Sequence, residues 1–315
     1  MANPATPSAA RGRLLIALAA VLWSLSGGFS KVLTQETVFG LNYPRPAPFA
    51  IAFYRLLFAG LAFLPTLRLR DLSFRPLMPV MVGAFALMNL AFIPAMVLGK
   101  AADAILLQYT APLWMVLASV LWLKEKADRR SLAAVALGTI GIAVILGTSI
   151  WQHGWASDEL GVLSLGVAAG VTFAGVVICL RFLHRENSKW LTVLNHLGGA
   201  VIIGAVWLLL PLIWSIDATA PATLGQYVTL VLFGVVQMGF PYWLMTRGLR
   251  SVSPQEAGTI TLLEPILNPV WAYLVAGEKP PPATFVGGVF ILSALAWRYW
   301  PTGKPSETRP QGPGL

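Results

Sequence analysis

Long apolar stretches follow one another along the whole chain, with only short polar connections between them. Ten such stretches can be delimited: residues 14–34, 49–67, 77–97, 102–123, 131–149, 159–182, 190–214, 222–246, 254–276 and 282–300. A helix rises about 1.5 Å per residue, so roughly 20 apolar residues cross a hydrocarbon core of ~30 Å. The pattern therefore predicts an all-α integral membrane protein with ten transmembrane helices.

The composition favours the same class. Of the 315 residues, 57% are hydrophobic and 11% are charged, which is too little polar surface for a soluble globule of this size. The net charge of +9 comes from basic residues scattered through short loops, and no basic face or tail is formed. We therefore expect the lipid bilayer as a partner and no nucleic acid.

The distribution of basic residues predicts how the chain is oriented. Of the 22 Lys and Arg residues, 17 fall on the side of the amino terminus, 4 fall on the opposite side, and Arg55 lies inside the second stretch. Because Lys and Arg concentrate in cytoplasmic loops, both termini are expected in the cytoplasm, with the chain in the inner or plasma membrane. Residues 1–13 and 301–315 are expected to be cytoplasmic tails, the second of them flexible.

An internal repeat divides the chain. A shift of 153 positions superimposes residues 95–142 on residues 248–295 without a gap. The shift aligns Pro112 with Pro265, Glu125 with Glu278 and Lys126 with Lys279. Each half contains five stretches, an odd number, so the fold prediction is two inverted five-helix repeats, residues 14–149 and 150–300. Inverted repeats are frequent in secondary transporters, which bind substrate near mid-membrane where the repeats meet.

A single acidic residue, Glu264, lies in the middle of the ninth stretch, within TLLEPILNP. A charged side chain there costs about 2.5–3.5 kcal/mol on insertion scales, so it is expected to face an interior cavity. Thr261, Glu264 and Asn268 are spaced i, i+3, i+7 and should share one helix face. Two interpretations stay open: Glu264 binds solute, carries a proton or gates, or it is a protonated hydrogen-bonding link between helices.

Three prolines are candidate helix-breaking or hinge positions. Pro265 and Pro269 each remove a backbone donor next to Glu264, and Pro112 is the counterpart of Pro265 in the fourth stretch. Such positions free carbonyl groups that a polar cavity can satisfy.

Arg55, in FYRLL, is the candidate counter-charge of Glu264. The alternative is that its long side chain extends outward to the membrane interface. Gln108 takes the place of Thr261 in the first repeat and is expected on the opposite wall of a cavity.

Further candidates for binding solute or protons are Tyr109, Trp23, Asn89, Gln237 and His196. The aromatic residues can line a cavity for an apolar solute or pack as core, and the amides can bind solute or link helices. His196 can relay protons because its unperturbed pKa is near neutrality, or it can make one satisfied polar contact.

Catalytic and metal-binding patterns are missing from the sequence. Cys179 is the single cysteine and fits no metal-ligand spacing. The chain contains no Walker loop, dinucleotide fingerprint, HExxH or GxSxG. We therefore expect no metal, no cofactor and no catalytic residues.

Three segments carry a family resemblance: FYRLLFAGLAFLP, QYTAPLWMVLASVLWLKEK and TLLEPILNPVWAYLVAGEK. Over about residues 14–300 the chain resembles EamA-type members of the drug/metabolite transporter superfamily. The resemblance implies export of small metabolites, often amino acids or their relatives, with no bound cofactor. The first repeat departs from the family pattern, with Ala111 in place of the acidic residue and Lys124 in place of glycine.

The leading functional hypothesis is a secondary active transporter that exports a small-molecule substrate by alternating access, with protons as a candidate coupling ion. One alternative is a non-transporting membrane sensor or scaffold. An intramembrane enzyme is disfavoured because His153 and His184 fall in loops on opposite sides. The solute and the oligomeric state stay open.

Overall fold

The computed structural model describes residues 9–121, 124, 129–155, 157–183, 185–213, 217–249, 251–252 and 254–299. This part of the chain forms helices, turns and loops, without a strand. The predicted carboxyl-terminal tail, 301–315, and the Glu125-Lys126 pair lie outside the described residues. Residues 9–13, predicted as part of a tail, already belong to the first helix.

The helices follow the apolar stretches. Residues 9–153 contain α1 (Ala9–Ser24), α2 (Ser26–Thr34), α3 (Pro48–Phe63), α4 (Leu77–Leu98), α5 (Ala101–Gln108), α6 (Ala111–Leu121) and α7 (Arg129–His153). Residues 158–299 contain α8 (Asp158–Phe182), α9 (Ser188–Leu209), α10 (Leu224–Leu232), α11 (Phe240–Gly248), α12 (Pro254–Thr261), α13 (Leu263–Ala276) and α14 (Pro282–Tyr299). A π-helical segment, Phe233–Gly239, joins α10 to α11.

The length and apolarity of the helices fit a membrane. Within the described residues, nine helical segments are long and apolar enough to cross a bilayer. The tenth predicted stretch forms α14, an 18-residue helix outside that group of nine, which packs along α7. In lipid a helix satisfies its own backbone hydrogen bonds, which is why apolar segments of this length adopt it.

The helices pack in pairs that cross the two halves of the sequence. Helix α4 packs on α8, α1 packs on α11, and α3 packs on α9. Glycines permit a close approach of the backbones of α7 and α14. A methyl group at Gly141 would lie 2.6 Å from the carbonyl oxygen of Gly287, whereas one at Gly147, further along α7, would meet no atom within 4 Å.

The fourth and ninth predicted spans are each interrupted. Helix α5 ends at Gln108 and α6 begins at Ala111, while α12 ends at Thr261 and α13 begins at Leu263. Each interruption precedes a proline, Pro112 or Pro265, which removes a donor and clashes with the preceding turn. The residues at the two breaks, Tyr109 and Leu262, are related by the 153-residue shift.

Pro269 behaves differently from the prediction. Helix α13 continues through it without interruption from Leu263 to Ala276. The first span contains an interruption that the sequence did not predict, at Leu25 between α1 and α2.

Candidate functional site

The two interrupted helices meet through a hydrogen bond at Glu264. The hydroxyl group of Tyr109 donates to Oε2 of Glu264 at 2.7 Å and lies 3.1 Å from the carbonyl oxygen of Thr261. Thr261 is the last residue of α12, so its carbonyl group is freed by the break in the ninth span. Glu264 is only partly buried by neighbouring residues. A carboxyl group and two helix ends therefore converge at one interior position.

The predicted stripe of Thr261, Glu264 and Asn268 is divided by the break at Leu262. Asn268 is fully buried and donates from Nδ2 to Oγ of Ser26 at 2.8 Å. The hydroxyl group of Thr261 donates back to Gly258, in its own helix, at 2.9 Å. Glu264 and Asn268, four residues apart in the continuous helix α13, contact Tyr109 and the first span respectively, and the shared polar face stays a prediction.

Arg55 lies inside the bundle. Its side chain is 1% exposed and donates from Nη2 to Oδ1 of Asn89. Asn89 in turn donates from Nδ2 to the carbonyl oxygen of Phe85 at 2.8 Å, which turns the amide oxygen toward Arg55. The centre of the guanidinium lies 5.9 Å from the ring of Phe92 and 5.2 Å from the ring of Phe233. The alternative in which Arg55 extends to the interface was therefore wrong.

Arg55 and Glu264 do not form the predicted direct ion pair. Among the described residues, the ion pairs within 4 Å involve other side chains. The two groups are still close enough to interact electrostatically. Glu264 instead accepts a hydrogen bond from Tyr109, and Arg55 donates one to Asn89. The opposite charges thus share one interior region with different direct partners.

His196 lies near Arg55. Its Nδ1 is 2.7 Å from the carbonyl oxygen of Thr192, one turn earlier in α9, and its Nε2 has no partner in the described structure. The imidazole ring packs 5.2 Å from Phe85 and 5.7 Å from Tyr242, and it interacts electrostatically with Arg55. We name Arg55, Asn89, Tyr109, His196 and Glu264 the central polar cluster.

Trp23 and Gln237 lie beside this cluster. The ring of Trp23 meets the ring of Tyr242 edge-on at 5.2 Å. Gln237, in the π-helical segment, donates from Nε2 to the carbonyl oxygen of Trp23 at 2.8 Å, and its Oε1 has no partner in the described structure. Single π-helical turns occur often at functional sites. Gln108, the counterpart of Thr261, is buried at the end of α5.

A buried ion pair that was not predicted from the sequence lies at one end of the bundle. Nζ of Lys31 lies 2.7 Å from Oε2 of Glu278, and it donates to the carbonyl oxygen of Gly99 at 2.8 Å. Oε1 of Glu278 accepts a hydrogen bond from the backbone of Ala101 at 2.7 Å. These contacts join α2, the start of α5 and the loop before α14. We call this end the Lys31 end. The Glu-Lys dipeptide repeated at Glu278-Lys279 was the one sequence feature that pointed to Glu278.

The opposite end of the bundle, which we call the Arg75 end, is joined by more exposed groups. Nε of Arg75 lies 2.7 Å from Oε1 of Glu186, and the hydroxyl group of Ser73 donates to Oε2 of the same carboxylate. Arg13 pairs with Glu256, and its side chain is 56% exposed. Exposed ion pairs contribute about 0–1 kcal/mol, so these pairs add little to the stability of the Arg75 end.

A cavity of about 510 Å³ lies beside the Lys31 end. It is lined by both acidic and basic side chains, among them Arg45, Lys100, Asp103, Asp158 and Glu159. Among the described residues, no three His, Cys, Asp or Glu side chains are grouped to hold a metal ion.

Comparison with known proteins identifies the family. The profile of the EamA-like transporter family matches residues 10–147 and again residues 160–299. An uncharacterized transporter of Archaeoglobus fulgidus is 27% identical over 292 residues, 91% of this chain and 96% of the relative. A solved crystal structure superimposes with a TM-score of 0.61 at 17% identity, covering 91% of this chain and 96% of that one, and supports the fold alone.

Two further relatives are named for transport. The pseudopaline exporter of Pseudomonas aeruginosa is 27% identical over 194 residues, 61% of this chain and 64% of the relative. The biotin transporter of Escherichia coli is 25% identical over 265 residues, 79% of this chain and 83% of the relative. These names support membrane transport of a small molecule rather than catalysis. Together with its many apolar helices, the two family matches establish that the chain is a multi-pass membrane protein and belongs to the EamA-like transporter family.

Proposed function

We propose that this protein is a secondary active transporter that exports a small metabolite, such as an amino acid or a related compound, by alternating access. The observation that carries the proposal is the hydrogen bond between Tyr109 and Glu264, which joins two interrupted helices inside the bundle. Interrupted helices near mid-membrane are the usual construction of substrate sites in secondary transporters, because their free backbone groups and helix ends contact the solute.

An inverted repeat of two five-helix units, residues 14–149 and 150–300, is part of this proposal. The breaks at Tyr109 and Leu262 fall at equivalent positions under the 153-residue shift. The packing of α4 on α8 has its counterpart in the packing of α11 on α1. The family profile also matches the chain twice. Two similar units of this kind can rock against each other around a central site.

The proposed orientation puts the Arg75 end in the cytoplasm, together with both termini, and the Lys31 end outside. The excess of Lys and Arg in the loops of the Arg75 end supports this orientation. The inner or plasma membrane is the corresponding location. In this orientation the buried ion pair of Lys31 with Glu278 lies at the outer end, where it would have to separate or move before the site opens outward.

Glu264 is the proposed proton-binding or solute-binding group. A partly buried carboxyl group inside a membrane bundle is stable when it is protonated, or when a cation or a donor compensates its charge. Tyr109 supplies one donor, and Arg55 supplies a nearby positive charge. Release of the proton to one side and binding of solute from the other would couple the two fluxes. A purely structural bond between α13 and Tyr109 is the competing interpretation.

The relatives support a small metabolite as the solute class, because one is named an exporter of pseudopaline and another a transporter of biotin. Neither name identifies the solute of this chain.

The test is transport by the purified protein in proteoliposomes. Counterflow and uptake driven by a pH gradient are measured with a panel of amino acids, amines and sugars. Wild type is compared with Glu264→Gln and with Glu36→Gln, a control at an exposed acid. Wild-type flux of a panel member, unchanged in the control, is the expected result.

The behaviour of Glu264→Gln separates the possible roles of Glu264. Retained counterflow with loss of gradient-driven uptake assigns proton transfer to Glu264, and loss of both in a folded variant assigns solute binding or gating. Flux equal to wild type in both assays would leave Glu264 as a helix link only. No flux of any panel member by wild type would favour a sensor or scaffold.

A further inference from the structure

Arg55 retains hydrogen-bond donors that the protein leaves unused. Nη2 is bonded to Asn89, but Nε and Nη1 have no acceptor in the described structure, although the side chain is 1% exposed. A buried guanidinium without an anionic partner is costly, because desolvation of its charge is not repaid. Such a group is expected to have a partner that the protein itself does not supply.

The acidic side chains of the described chain have other partners or lie elsewhere. Glu264 is bonded to Tyr109. The ion pairs within 4 Å join other acids to Lys31, Arg75, Arg13 and His153. Asn89 offers a neutral amide oxygen, whose orientation is fixed by its own bond to the carbonyl oxygen of Phe85. Arg55 is thus held in place by an uncharged acceptor, and its charge remains available to an anion.

The surroundings of Arg55 favour one kind of anion. Within the described residues Arg55 is the only Lys or Arg of the central polar cluster, and Glu264 lies within electrostatic range. One positive charge matches a monoanion, whereas a phosphate dianion would add net negative charge beside Glu264. Phe92 and Phe233 lie near the guanidinium, and Phe29 stacks on Phe233 at 5.2 Å. Buried apolar rings therefore border the guanidinium, with Phe233 0% and Phe92 4% exposed, so a solute would reach them only when the bundle opens.

We propose that Arg55 binds the carboxylate group of the transported solute, so that the substrate class is small monocarboxylates with an apolar body. The proposal rests on the transport function proposed above. Guanidinium donors suit a carboxylate because charge-assisted hydrogen bonds are shorter and about twice as strong as neutral ones. Asn89 positions the guanidinium, and the phenylalanine rings contact the apolar body of the solute.

The test is equilibrium binding of two matched probes, 3-phenylpropionate and 3-phenylpropanamide, to the purified full-length protein by isothermal titration calorimetry at neutral pH. The probes share the apolar body and differ in the carboxylate. We expect the acid to bind about 10- to 100-fold more tightly than the amide, as the loss of hydrogen bonds to a charged group predicts. Equal affinities, or no binding of the acid, would overturn the proposal.

Variants test whether the preference for the acid over the amide depends on Arg55. Arg55→Gln is expected to reduce the affinity for the acid to that for the amide, whereas Arg70→Gln, at an exposed position, leaves it unchanged. Asn89→Asp gives a second test in which Arg55 is retained. The new carboxylate pairs with the guanidinium of Arg55 and should abolish the preference for the acid over the amide, while the protein stays folded. A persistent preference for the acid in either folded cluster variant contradicts the assignment.

The binding assay also separates this proposal from the transport function. If the acid binds through Arg55 but no panel member crosses proteoliposomes, the carboxylate site stands and the transport proposal fails. If proteoliposomes show flux while the acid and the amide bind equally, transport stands and the role of Arg55 fails.

Discussion

Replacement of Glu278 by glutamine should destabilise the fold strongly. The side chain of Lys31 is 0% exposed and that of Glu278 is 3% exposed, and their charged atoms are 2.7 Å apart. Glu278→Gln keeps the shape of the side chain and an acceptor for the backbone of Ala101. It leaves the Lys31 ammonium buried with only the carbonyl oxygen of Gly99 as a partner.

The magnitude follows from the desolvation of one charge. Removal of one partner from a buried ion pair costs about 3–5 kcal/mol, whereas replacement of both partners by uncharged groups is often close to neutral. Lys31→Met combined with Glu278→Gln removes both charges. We therefore expect the double variant to be more stable than Glu278→Gln alone, with a coupling energy of about 2 kcal/mol or more between the two positions.

The assay is reversible unfolding in mixed micelles, analysed as a double-mutant cycle of the two single variants and the double variant. Purely additive effects, or a cost below about 1 kcal/mol for Glu278→Gln, would refute the reasoning, because that is the range of exposed ion pairs. The exposed pair at the opposite end of the bundle gives the comparison. Arg13→Gln removes one partner of the pair with Glu256 and should cost less than about 1 kcal/mol.

Two further predictions concern packing and pH. Gly141→Ala should destabilise the protein by about 1–3 kcal/mol in the same unfolding assay, since its methyl group would overlap the backbone of α14. Gly147→Ala, in open space on the same helix, should not destabilise the protein. Equal effects of the two substitutions would contradict a close contact of Gly141 with α14. The hydroxyl group of Ser73 and the guanidinium of Arg75 lower the pKa of Glu186. The ionised Glu186 therefore stabilises the fold above the pKa that it has in the unfolded chain, and this stabilisation is lost as pH falls through the lowered pKa of the folded protein. Arg75→Gln should raise that pKa, measured by titration of the carboxyl ¹³C shift, and an unchanged pKa would exclude this cause.

The sequence predicted the parts of the fold that depend on local properties. Apolar length determines where helices can cross a bilayer. All ten stretches contain helices, and nine helical segments of the described chain are long and apolar enough to cross. Proline chemistry predicted disturbed helices near Pro112 and Pro265, where the breaks lie. The same argument failed at Pro269, which lies inside the uninterrupted helix α13.

The contacts of the central polar cluster could not be predicted in this way. Helix periodicity says which residues share a face, but not which neighbour that face meets. The partnership of Arg55 with Asn89, and that of Glu264 with Tyr109, depends on how α3, α4, α5 and α13 are rotated in the bundle. The π-helical segment that carries Gln237 has no signal in apolar periodicity.

The contacts of Lys31 could not be predicted from the sequence either. It is one of the four basic residues that the sequence places on the side opposite the amino terminus, and its side chain is fully buried. Only the folding of the loop before α14 over the start of α5 brings Glu278 to it.

Accessibility of the interrupted helix from both sides of the membrane tests alternating access most directly. Cys179 is the single cysteine, so Cys179→Ala gives a background in which Thr261→Cys carries the only thiol, at the break of the ninth span. A membrane-impermeant maleimide is applied to oriented vesicles from each side in turn. We predict labelling from both sides, with Glu278→Gln increasing labelling from the Lys31 end and decreasing it from the Arg75 end. Labelling from one side only, unchanged by Glu278→Gln, would contradict a transporter that opens alternately around Glu264.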